Sequence, residues 1–129
     1  MIILRICEKI KQISVYYQIF LTFVSQNKRI MVEQSQIIHY LSVNKQSISQ
    51  KYRLKKLGIF GSYARNEQTP ASDLDLLVEF EDNTPDLTNK KDYLRKEMQS
   101  VFHIPVDICR EKYIKPIFRK QILSDVIYV

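Results

Sequence analysis

What most narrows the fold of this chain is a short apolar run that meets a tight turn, Leu57-Gly58-Ile59-Phe60 followed by Gly61-Ser62-Tyr63-Ala64-Arg65. A second apolar run follows, headed by two acids, Asp73-Leu74-Asp75-Leu76-Leu77-Val78-Glu79-Phe80. The first run reads as a strand, and Gly61 lets the backbone turn sharply while keeping side-chain bulk away from anything that approaches it. Ser62 then opens a helix-prone segment, where a hydroxyl and free N–H groups favour an anion. In the second run the two-residue period of an extended chain puts Asp73 and Asp75 on one face. Two carboxylates side by side repel each other, so a site that keeps both ionised calls for a cation. Hard oxygen donors suit Mg2+ or Mn2+, with the remaining positions left to water and phosphate. A third acid, Asp107, sits in Pro105-Val106-Asp107-Ile108-Cys109, another short strand, between apolar neighbours where an unpaired carboxylate is costly.

Each piece has an ordinary explanation as well. A Gly-Ser after a strand is commonly just a turn, an Asp-x-Asp at a strand start is commonly a solvated edge, and Asp107 fits the exposed face of an alternating strand. Their occurrence together and in this order is what points to phosphate chemistry. The order of GSYAR, SDLDLLVEF and VDICREKYIKP resembles the minimal nucleotidyltransferases, small members of the DNA-polymerase-beta-like nucleotidyltransferase superfamily, over roughly residues 36 to 129. Asn66 departs from the pattern, because the family commonly has glycine after the arginine. Asparagine tolerates a left-handed backbone well, so the turn is expected to survive.

The resemblance implies an α/β (α+β) fold, a small mixed sheet with helices mainly on one face. It also implies a metal-dependent transfer of AMP from ATP to an acceptor hydroxyl. Asp73, Asp75 and Asp107 would be the catalytic, metal-holding acids, with two Mg2+ or Mn2+ ions, and Gly61, Ser62 and Arg65 would meet the nucleotide. Arg65 has two readings from the residues alone, a phosphate contact or a brace for Glu67 or Asp73. Family members are antitoxins that adenylylate a tyrosine of a HEPN-domain toxin, so such a toxin is the implied partner and the cytoplasm the implied location. A small-molecule transferase similar to the aminoglycoside nucleotidyltransferases, and an antitoxin that works by binding alone, are the alternatives.

Composition narrows the rest. The 129 residues, 45% of them apolar, suit one domain with a single core. The net charge of +6 is uneven. Residues 1–57 hold ten Lys/Arg against two acids, and residues 58–129 hold ten against twelve, so the acidic site needs a cation before a triphosphate can approach. The basic run Lys51 to Lys56 reads as a solvated helix end rather than a nucleic-acid patch. Cys7 and Cys109 lack metal-ligand spacing and read as reduced core thiols, and His39 and His103 are isolated.

Residues 1–30 form a separate problem, distinct from a nucleotidyltransferase domain over 31–129. Ile3, Ile6, Ile10, Ile13, Tyr17, Phe20 and Val24 recur at three- and four-residue gaps, which predicts an amphipathic helix. The apolar stretch is short for a membrane span. It reads as an added docking helix, a membrane-interacting leader, or an extension upstream of a start at Met31. For the remainder the pattern predicts helices over 33–54, with a bend near Ser42-Val43-Asn44, over 86–101, and from Pro116 to about Ser124. Strands are expected at 57–60, 74–80 and 104–109. Ile37, Ile38, Leu41, Ile48 and Leu54 are the candidate inward residues of the first helix and its end, and Leu87, Tyr93, Leu94, Met98 and Val101 those of the second.

Overall fold

The computed structural model describes residues Val32–Val129, which form one compact unit. The amphipathic stripe expected over residues 1–30 lies outside the described residues.

Helix α1 runs Gln34–Tyr52 without a break at Ser42-Val43-Asn44. Asn44 donates its side-chain amide to the Tyr40 carbonyl one turn back (2.9 Å), which satisfies locally the polar group that had suggested a break. The helix starts with Gln36 accepting from the Glu33 N–H (3.0 Å) and ends at Arg53 in the left-handed region (φ 55°). Strand β1 follows at once, Leu54–Phe60, three residues longer at its start than the apolar pattern predicts. The short helix α2, Gly61–Ala64, then leads through a loop to β2, Leu74–Phe80. Helix α3, Leu87–Phe102, leads to β3, Val106–Arg110. A 3-10 turn at Glu111–Tyr113, helix α4 at Pro116–Asp125 and a two-residue strand β4, Ile127–Tyr128, complete the chain. Pro116 stands in the first turn of α4, where its missing N–H costs nothing.

The strands form one mixed sheet in the order β3-β2-β1-β4. The β1–β2 and β1–β4 pairs are antiparallel and β2–β3 is parallel, the α3 crossover supplying the length that a parallel connection needs. β4 is too short to leave a periodic signal in the sequence and exists only because Gly58 and Ile59 pair with it.

The core lies between the sheet and the helices α1 and α3. Ile37, Leu41 and Ile48 from α1, Leu94, Met98 and Phe102 from α3, and Leu57, Ile59, Leu74, Leu76, Val78, Val106 and Ile108 from the strands all join it. The apolar stripe of α1 therefore behaves as predicted, with Ile38 partly buried and Leu54 buried at the start of β1. Tyr93, expected on the inner side of α3, is 61% exposed. It stands beside Leu94, which takes the core position at 0% exposure, and adjacent helical residues cannot face the same way. Tyr52 is also buried, its hydroxyl donating to Glu97 on α3, so the basic run Lys51 to Lys56 is only partly a solvated helix end: its second half is β1.

Candidate active site

The alternation of β2 separates core from chemistry. Leu74, Leu76, Val78 and Phe80 enter the core, so Asp75 opens to the other face of the sheet. In the parallel ladder Asp75 lies directly opposite Asp107 of β3, and in the antiparallel ladder it lies opposite Phe60, the last residue of β1. Asp73 immediately precedes β2 and is exposed. The fold thus brings together the three acids the sequence predicts.

Gly61 follows Phe60 and is fitted to the same spot. Its φ is +72°, and a Cβ there would collide with the Oδ2 of Asp75 and lie 3.2 Å from its Cγ. Only a residue without a side chain lets the turn pass this close to the carboxylate. Ser62, half-buried, follows on α2, and Asn66 takes up the left-handed conformation (φ 57°) expected of it. A strut that the sequence did not reveal holds the turn from behind. Gln34, at the start of α1, donates its amide to the carbonyls of Tyr63 (2.8 Å) and Ala64 (2.8 Å), almost thirty residues away.

Arg65 takes the bracing option and extends it. Its Nε donates to Glu67 (3.0 Å) and a terminal nitrogen reaches Asp125 at the end of α4 (3.4 Å), whereas no ion pair with Asp73 is among those described. Its charge still acts on Asp75, opposing the rise of that carboxyl's pKa. The rise has burial as its largest cause, followed by the charges of Asp107 and Asp73, and brings Asp75 to about 6.

Among the described residues no three Asp, Glu, His or Cys side chains are placed to enclose a metal ion by themselves. The donor set nevertheless suits a divalent cation whose shell is completed by phosphate oxygens. Its carboxylates are hard donors, they repel one another as they stand, and Gly61 leaves the Asp75 oxygen unobstructed by a side chain. Asp75 is half-buried in this site, whereas Asp107 is exposed. Two grooves, one lined by Lys45, Lys55, Lys56 and Tyr128 and the other by Lys51, Tyr52, Lys90 and Tyr93, contain none of its residues.

Cys109 is half-buried and a free thiol, and His39 and His103 are exposed, His103 ending α3 in the left-handed region. Among the described residues no helix is long and apolar enough to cross a membrane.

A four-stranded mixed sheet backed by helices, with a glycine turn abutting paired strand aspartates, defines a nucleotidyltransferase fold. Comparison with known proteins agrees: residues 42–129 match the nucleotidyltransferase domain family, and the chain belongs to it. The protein MJ0128 of Methanocaldococcus jannaschii is 44% identical over 96 residues, covering 74% of this chain and 96% of that protein. Protein adenylyltransferase MntA of Thermococcus cleftensis is 30% identical over 99 residues, 77% of this chain and 98% of the relative. Among solved structures, a minimal nucleotidyltransferase superposes with a TM-score of 0.64 at 26% identity, over 76% of this chain and 97% of that one. A toxin–antitoxin complex with AMP-PNP has the same fold, with a TM-score of 0.54 at 18% identity, over 67% of this chain and 69% of that one.

Proposed function

We propose that this chain transfers AMP from ATP to a hydroxyl of a partner protein, a tyrosine of a HEPN-type toxin, and so acts as the antitoxin of a toxin–antitoxin pair in the cytoplasm. The observation that carries the chemistry is the placement of Asp75 opposite Asp107 with Gly61 against the Asp75 carboxylate. The protein acceptor rests on relatives such as the protein adenylyltransferase MntA, and the toxin partner on the toxin–antitoxin complex that shares the fold.

In this reading Gly61 and Ser62 receive the outer phosphates, the bare Gly61 backbone, the Ser62 hydroxyl and the N–H groups of both replacing water around the triphosphate. Asp73 and Asp75 hold Mg2+ or Mn2+, and Asp107 completes the acidic set on the acceptor side. When bound, the metal supplies charge compensation for the attacking and leaving oxygens. The chain's own part is positioning. The carboxylates fix where the nucleotide lies, Asp107 accepts the proton of the acceptor hydroxyl or orients it, and pyrophosphate departs from the side facing the glycine turn. Arg65 balances the negative charge beside Asp75 and stands close enough in sequence to the turn to meet phosphate once released from Glu67.

Two measurements test this. Calorimetry with ATP should show binding that needs Mg2+ or Mn2+ and is lost in Asp73→Asn with Asp75→Asn; tight binding in excess chelator, unchanged in the double variant, would defeat the assignment. Asp107→Asn should keep its fold by circular dichroism and lose transfer of labelled AMP to a co-purified partner. Full transfer in that variant would reduce Asp107 to a strand residue facing water.

A further inference from the structure

Among the described residues no hydrogen bond or ion pair holds the side chain of Asp107; its carboxylate stands where the backbone of β3 puts it. That strand has five residues and, among the described residues, lies at the edge of the sheet and pairs with β2 alone. At its beginning the Leu74 N–H donates to the Pro105 carbonyl (2.8 Å). At its end stands a device with no counterpart elsewhere in the core. Glu79 of β2 is the one charged residue in the buried class among the described residues, at 8% exposure, and its Arg110 partner is part-buried. Both nitrogens of one Arg110 fork donate to its Oε1, Nη2 at 2.7 Å and Nε at 3.2 Å, and the Lys112 N–H donates to its Oε2 at 3.1 Å. The guanidinium in turn lies near two rings, 5.5 Å from the centre of Phe80 and 4.9 Å from that of Tyr113.

We infer that Glu79 and Arg110 are positioning residues: their part-buried fork locks the register of β3 on β2, and the register is what sets Asp107 opposite Asp75. The reason is geometric. A slip of one residue along β3 would turn Asp107 into the core and bring Ile108 out. The same slip would pull Arg110 and the Lys112 N–H away from Glu79, leaving its carboxylate only the Phe80 N–H of its own strand (3.1 Å) and no compensating charge, a state the fold disfavours. Because the clamp sits on the same two strands as the acid pair, three residues beyond Asp107, small tilts of β3 are resisted as well. A lysine at position 110 would keep the charge but neither the fork nor the flat stacking surface, so it would hold the strand loosely.

This inference rests on the nucleotidyl-transfer reading, and the test is chosen to separate the two. Mn2+ is titrated, by electron paramagnetic resonance, into the full chain with a non-hydrolysable ATP analogue. The wild type, Asp107→Asn and Arg110→Lys are compared, with nucleotide affinity and thermal midpoint measured in parallel. The expected result is that Arg110→Lys weakens by roughly tenfold the second, Asp107-dependent Mn2+ binding event, the one that Asp107→Asn abolishes while the ion held by Asp73 and Asp75 remains, at unchanged nucleotide affinity and at a temperature where both variants are folded. A purely structural pair would leave that isotherm unchanged in the folded variant, and this would overturn the inference. A parallel loss of nucleotide affinity would overturn it too. Identical isotherms for the wild type and Asp107→Asn would instead strike the underlying reading of Asp107, and this one with it. If Arg110→Lys fails to fold, Glu79→Leu with Arg110→Leu replaces the pair by apolar bulk, which buried ion pairs commonly tolerate, and the same weakening is expected.

Discussion

Replacing Gly61 by alanine tests the closest fit in the molecule. The residue sits at φ +72°, where an L side chain costs about 1–2 kcal/mol. The added Cβ would also overlap the Asp75 Oδ2 and come within 3.2 Å of the Cγ, so something must move. The backbone on both sides is pinned, β1 by its ladder to β2 and the end of α2 by Gln34. The Asp75 carboxylate is the softer element, so it should swing off its axis and away from Asp107. We therefore expect two separable losses. Stability should fall by about 1–2 kcal/mol from the backbone cost, a drop in midpoint of roughly 4–16 °C for a domain of this size. Binding of ATP with Mg2+, read by calorimetry well below the midpoint, should weaken at least about tenfold, since a misplaced ligand forfeits more than about 1.4 kcal/mol. A Gly61→Ala protein with the wild-type midpoint and wild-type affinity would show that neither the turn nor its contact with Asp75 matters as argued.

Three further outcomes follow from the same structure. Gly58→Ala places a Cβ 2.8 Å from the Ile127 carbonyl oxygen and 3.2 Å from the Tyr128 ring, so it should loosen β4 and lower the midpoint while leaving nucleotide affinity within about twofold, because no residue of the site touches it. In Glu79, burial raises the pKa but the Arg110 fork and the Lys112 and Phe80 N–H groups outweigh it, so the folded carboxyl titrates below its ordinary value of 4.5. Its stabilisation is thus present above that value and fades as pH falls through the lower folded one. Denaturant unfolding of Glu79→Gln should accordingly show a shallower acid-side decline than the wild type, and equal slopes would refute the linkage. Leu94→Ala, at 0% exposure, should cost about 2–5 kcal/mol in urea unfolding, whereas Tyr93→Ser next to it, 61% exposed, should stay within about 0.5 kcal/mol of the wild type.

The helix α3 shows how much periodicity could and could not say. Leu94 and Met98 lie four apart and are buried as their spacing predicts, but Tyr93 matches the same apolar pattern and faces water. A pattern marks which residues can be buried; the rotation of the helix against the sheet decides which are. The same holds for β1 and β4. Lys55 and Lys56 concealed the first half of β1 because its polar residues point outward there, and β4 has only two residues, too few for any period.

In the site, the sequence by itself determined the identity of the acids and of the turn. The spacing of Asp73 and Asp75 predicts a common face through the geometry of an extended chain, and a glycine followed by a hydroxyl after an apolar run is a local signal that needs no partner to be read. What only the tertiary structure decided is everything that depends on neighbours distant in the chain. It set Asp107 opposite Asp75 across a parallel ladder and aimed the Gly61 turn at the Asp75 oxygen. It gave Arg65 to Glu67 and Asp125, and Gln34 to the carbonyls behind the turn. It also buried Glu79 against Arg110, a pairing hidden inside what reads locally as an apolar strand. These contacts join residues 29 to 60 positions apart in several cases. Local propensity carries no information about such pairs, because their partners are chosen by strand register and helix packing, and these are properties of the folded chain as a whole.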